Sequence, residues 1–90
     1  MRIYNAQQEN MFFLSPYSQT HSSETTLSAY STLFSTIAQL SCTRQQAQSL
    51  LAMLQDGADE NTLRSFFQRE LPTTDLSQFL NDWMRKGLVE

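Results

Sequence analysis

Residues 27–40 read LSAYSTLFSTIAQL, and how this stretch folds decides how the rest of the chain is built. Leu27, Tyr30, Leu33, Phe34, Ile37 and Leu40 recur at steps of three, three, one, three and three, which lines them up along one face of a helix. A second reading makes Phe34 to Leu40 a short strand, because the Ser and Thr content lowers helix propensity. Periodicity alone favours the helix. The helix leads to an all-α bundle; the strand gives an α+β domain.

Downstream the pattern is plainer. Ser41-Cys42-Thr43 offers hydroxyl caps ahead of Arg44, and Ala47, Leu50, Leu51 and Leu54 form a narrow apolar stripe that stops at Asp56-Gly57. Gly57 suits a left-handed helix terminator. Asp59 or Asn61 can cap a second helix whose apolar residues Leu63, Phe66, Phe67 and Leu71 keep helical spacing until Pro72. Thr73 or Thr74 caps a third, with Leu76, Phe79, Leu80 and Trp83 on one face, Arg85 and Lys86 in its last turn and Gly87 behind them. Leu88 and Val89 then return to the core or add a short extended tail.

Upstream, Arg2 to Asn5 and Met11 to Ser15 flank the polar run Ala6 to Asn10. The aromatic and aliphatic residues on either side favour strands and the polar run a reversal, so the spacing predicts a β-hairpin over residues 1–16, ended by Pro16. From Tyr17 to Thr26 the chain is rich in Ser, Thr and Gln and has no sustained apolar period; it reads as an exposed loop, part of a variable segment over 17–33.

Ninety residues with 40% hydrophobic content support one domain with one modest core. Six basic against nine acidic residues give a net charge of −3, the wrong sign for a protein held mainly by phosphates. A lone cysteine, Cys42, forms no internal disulfide and fits a reducing compartment. The N-terminus lacks the apolar run of a signal peptide, and no stretch approaches the roughly 20 apolar residues of a membrane span, so a cytoplasmic, soluble protein is expected.

The chemistry-bearing residues do not form a constellation. His21 has no second ligand at metal spacing, and the acidic residues around Gly57 lack the alternating oxygens of a calcium loop. With two separated glycines there is no phosphate-cradling loop, and no Ser stands in a nucleophile elbow. The chain is therefore not expected to be an enzyme or to carry a metal or cofactor. Six Phe, three Tyr and one Trp are a heavy load for a domain of this size, and those left over from the core can line a groove for an extended or helical peptide.

The sequence Leu50-Leu51-Ala-Met-Leu54-Gln-Asp56-Gly57, then Leu63 to Phe67, then Phe79-Leu80-Asn-Asp-Trp83-Met-Arg-Lys-Gly87-Leu88 resembles the PqqD-like family of small winged-helix domains. Those domains recognise precursor peptides in ribosomal peptide modification pathways. The resemblance implies an α+β fold in which an N-terminal hairpin and a third strand, Phe34 to Leu40, pack on three C-terminal helices. It departs from the family in Tyr17 to Leu33, which is longer than the usual link. It further implies that a leader peptide adds as a strand beside Phe34, Thr36, Ile37 and Ala38 and packs on Leu76, Phe79, Leu80 and Trp83. The expected partners are a leader peptide or a partner protein, with a modifying enzyme alongside and a homodimer as an open alternative; a membrane is not expected and nucleic acid is disfavoured. Two other functions stay open, a small helical adaptor, regulator or secretion-type chaperone, and a winged-helix DNA-binding regulator.

Overall fold

A computed structural model describes residues 11–90. It is an α+β fold, which removes the all-α alternative. Three strands, β2 (Ser18–Ser22), β3 (Thr26–Ser31) and β4 (Thr36–Ser41), form an antiparallel sheet in the order β2-β3-β4. Helix α1 (Arg44–Asp56) follows, and then the two-residue β5 (Ala58–Asp59), α2 (Glu60–Glu70) and α3 (Leu76–Arg85). A short β1 (Met11–Phe12) pairs antiparallel with β5.

The deciding stretch 27–40 is a hairpin, not a helix. Leu27 pairs with Leu40, Ala29 with Ala38 and Ser31 with Thr36, while Tyr30 and Ile37 face each other on the opposite side of the sheet. The apolar residues that mimicked a helical stripe are thus divided: Leu27 and Leu40 are buried, Tyr30 and Ile37 exposed, and Leu33 and Phe34 lie in the connecting turn. The inward alternation was hidden because it is written in small residues, Ala29, Ser31 and Ala38. Ser31 is fully buried without an orphaned hydroxyl, since its Oγ accepts the backbone N–H of Phe34 at 3.2 Å. Ser35 closes the turn in a left-handed conformation, φ 55°, and donates its N–H to the Ser31 carbonyl at 2.9 Å.

The expected loop from Tyr17 to Thr26 is corrected in the same way. Ser18–Ser22 is an edge strand, paired from Ser18↔Ser31 to Ser22↔Leu27. Three of its five side chains are exposed and the others partly so, which left no apolar alternation to read. The first arm of the expected N-terminal hairpin, Arg2 to Asn5, and its polar reversal lie outside the described residues. Its second arm is held on two sides: β1 meets β5, and the following residues meet the chain end. Phe13 and Glu90 exchange backbone hydrogen bonds, both at 2.8 Å, and Leu14 bridges to Val89.

All three C-terminal helices form where the apolar spacing placed them. Thr43 caps α1 in a reciprocal capping box with Gln46. Asp59 caps α2 by accepting the Thr62 N–H at 2.7 Å. Asp75, rather than Thr73 or Thr74, caps α3, accepting from Gln78 at 3.2 Å. Gly57 ends α1 at φ 93°, with the Phe13 ring over it. The core gathers Leu27, Ala29, Ala38 and Leu40 of the sheet with Leu50 and Leu54 of α1, Leu63, Phe66 and Phe67 of α2, and Phe79, Leu80 and Trp83 of α3; Leu88 and Val89 join it.

Candidate functional site: a groove between a free strand edge and the last helix

Strand β4 has β3 on one side and, among the described residues, no strand on the other. The direction of its hydrogen bonds follows from its start of pairing. Cys42 donates its N–H to the Thr25 carbonyl at 3.1 Å, so the pairs that exchange hydrogen bonds are those in phase with it, 27 with 40, 29 with 38 and 31 with 36. Ile37 and Gln39 alternate with these, and their backbone N–H and C=O groups point away from β3. They form a ready template for another extended chain.

The far wall of that edge is α3. The Thr36 hydroxyl donates to the Lys86 carbonyl, joining the start of β4 to the end of α3. Further along, Gln39 and Leu40 share a groove of about 700 Å³ with Asp75, Gln78, Phe79 and Trp83. The helix therefore runs back along the strand. The base of the groove belongs to an aromatic series in which Phe67 and Phe79 have ring centroids 5.1 Å apart, and Phe79 and Trp83 4.7 Å apart. Asn81, Asp82 and Arg85 supply polar walls.

The residues nominated from sequence are separated by this geometry. Phe79 and Trp83 line the groove, but as a floor, being 6% and 1% exposed. Leu80 and Ala38 are core residues, and Leu76 is partly buried at the start of α3. Phe34 stands in the turn before the strand, largely exposed, with its ring over Gly87; Ile37 projects from the solvent face of the sheet. Thr36 is committed to Lys86. Sequence reasoning passed over Gln39, Asp75, Gln78 and Arg85; the last three were signalled only by their spacing around Phe79 on the polar side of an amphipathic helix, and Gln39, on β4, by nothing local.

Charges elsewhere are mostly satisfied. Arg64 pairs with Glu60 at 2.7 Å, Arg69 with Glu70 at 3.2 Å, and Arg85 and Lys86 both with Asp82, which leaves Arg44 as the one described cation without a carboxylate partner. Burial pushes the Cys42 thiol above its ordinary value, against a smaller lowering by a backbone hydrogen bond with Leu27. Such a thiol is a poor nucleophile. Among the described residues no group of His, Cys, Asp and Glu gathers to hold a metal ion, and no helix is long and apolar enough to cross a membrane.

Comparison with family models, curated proteins and solved structures finds no match to this chain. The groove must therefore be read from its own chemistry.

Proposed function

We propose that this chain is a non-catalytic peptide-binding module of the cytoplasm, which takes up the leader segment of a precursor peptide as an added strand on β4 and presents it to a modifying enzyme. One observation carries the reading: the backbone groups of Ile37 and Gln39 point away from β3, and Gln39 lines a groove whose floor is Phe79 and Trp83. Main-chain hydrogen bonds along such an edge give affinity for any extended chain, and the pocket for alternate side chains gives selectivity. The reading also draws on the resemblance to PqqD-like winged-helix domains, from which the chain departs in building its three-stranded sheet from Ser18–Ser22, Thr26–Ser31 and Thr36–Ser41, while Met11–Phe12 of the expected hairpin pairs with Ala58–Asp59.

Proline at position 39 tests the reading. The Gln39 N–H makes no bond to β3, so Gln39→Pro removes a donor from the free edge and leaves the sheet's own ladder intact. Random peptides displayed on phage are selected on the immobilised protein and on Gln39→Pro in parallel. The reading expects a family of extended sequences retained by the first and lost by the second, with slower exchange of the Ile37 and Gln39 amides when a retained peptide is added. Equal enrichment on both proteins, or none on either, would sink it.

A second reading, a small adaptor or secretion-type chaperone that binds a partner protein, is favoured by Tyr30 and Ile37, which face each other on the solvent side of the sheet and are 41% and 59% exposed. A partner docked there is lost in Ile37→Lys, a change that leaves the backbone of the β4 edge in place.

A further inference from the structure

The groove is charged oppositely at its two ends, and we infer from this the class of peptide it takes: an extended segment with an apolar side chain flanked, two positions away on either side, by one basic and one acidic side chain. The inference deepens the strand-addition reading and rests on it.

Asp75 marks one end. Its carboxylate accepts the Gln78 N–H, its side chain is exposed, and no cation among the described residues lies within ion-pair reach of it. Arg85 marks the other end. Its side chain is 78% exposed, and together with Lys86 it shares the carboxylate of Asp82, at 3.0 and 3.3 Å; two cations against one carboxylate leave a net charge of +1. Between the two ends lie Leu40, Phe79 and Trp83, which offer the apolar part of the floor. The helix termini carry partial charges of opposite sign, about half a unit each, which reduce the end charges without cancelling them.

The spacing follows from the geometry of the two backbones. From Asp75 to Arg85 the helix advances about 15 Å, at roughly 1.5 Å per residue. A strand rising about 3.3 Å per residue covers nearly that distance, about 13 Å, in four steps. Four is also an even number, so both charged side chains and the one midway between them project from the same face of the added strand. The midway side chain then stands over Phe79, the basic one at Asp75 and the acidic one at Arg85. A peptide with two like charges meets repulsion at one end whichever way it runs.

The test uses four acetylated, amidated peptides of the form Gly-Ser-Xaa-Thr-Leu-Thr-Xaa-Ser-Gly, whose variable pairs are Lys and Asp, Lys and Lys, Asp and Asp, or Gln and Gln. Each is titrated against the full chain and against Asp75→Asn and Arg85→Gln. Asn is as good a helix cap as Asp, and Arg85 is exposed, so both variants keep the fold. The Lys and Asp peptide is expected to bind about fivefold more tightly than the Gln and Gln peptide at low salt, with most of the advantage gone at about 0.5 M salt. Asp75→Asn should remove only the part due to Lys, and Arg85→Gln only the part due to Asp. If all four peptides bind alike, or the preference survives both substitutions, the charge rule is overturned while strand addition stands. If none of the four binds at any salt, both fall.

Discussion

The ring of Phe34, in the turn between β3 and β4, lies over Gly87, in the turn that follows α3. Gly87 has φ 77°, a conformation that costs an L-residue about 1 kcal/mol, and a Cβ there would run into the Phe34 ring. Phe34 is exposed and can swing aside, so the backbone term dominates. Gly87→Ala is expected to lower stability by about 1–2 kcal/mol in urea unfolding. In a Phe34→Ala background the same change should cost only the backbone share.

The core is committed around α1. Leu50 is fully buried and packed in the main cluster, so Leu50→Ala removes its transfer energy and leaves a cavity, at about 3 kcal/mol. Ile37, although apolar, projects into solvent, and Ile37→Lys should change stability by less than about 0.5 kcal/mol. Denaturant midpoints of the two variants set Ile37, an apolar residue at helical spacing within 27–40, against a residue packed in the core. Similar losses for both would contradict the hairpin.

At the start of α1, Thr43 Oγ1 accepts the Gln46 N–H at 3.1 Å, and Gln46 Oε1 accepts the Thr43 N–H at 2.9 Å. Gln46 Nε2 also donates to the Glu70 carbonyl at 2.9 Å, tying α1 to the end of α2. Thr43→Ala should cost about 1 kcal/mol. Gln46→Ala should cost at least as much, and the double variant less than the sum, because both remove the same box. Strict additivity would show that the cap contributes nothing jointly.

The pH dependence has a definite sign at α2. Asp59 is held below its ordinary value of 3.8, chiefly by the backbone N–H of Thr62 and then by the Thr62 hydroxyl. Its folded value is lower than its unfolded one, so its contribution is complete above the unfolded value and is lost as the pH falls through the folded one. Asp59→Asn keeps a capping oxygen and should leave stability near pH 7 almost unchanged while flattening its decline below about pH 4. Parallel acid titrations of the two proteins, followed by circular dichroism, measure the difference.

Composition, turn residues and helical spacing determined much of this protein. They located three helices, two of the three caps and the closing glycine, because each depends on residues close together in the chain. They also offered the core as one of two places for Leu88 and Val89, and a strand as the second reading of Phe34 to Leu40. The sheet was harder, since its inward face is built from Ala29, Ser31 and Ala38, whose burial depends on what packs against them. Its outward face carries Tyr30 and Ile37 at the spacing of a helix. Only the tertiary structure decided that 27–40 doubles back on itself, that Met11 and Phe12 pair with Ala58 and Asp59, and that α3 runs back along the unpaired edge of β4. The groove arises from that last juxtaposition. Gln39 and Asp75 lie far apart in sequence, and nothing local to either says they face the same space; long-range packing of the two walls brings them together.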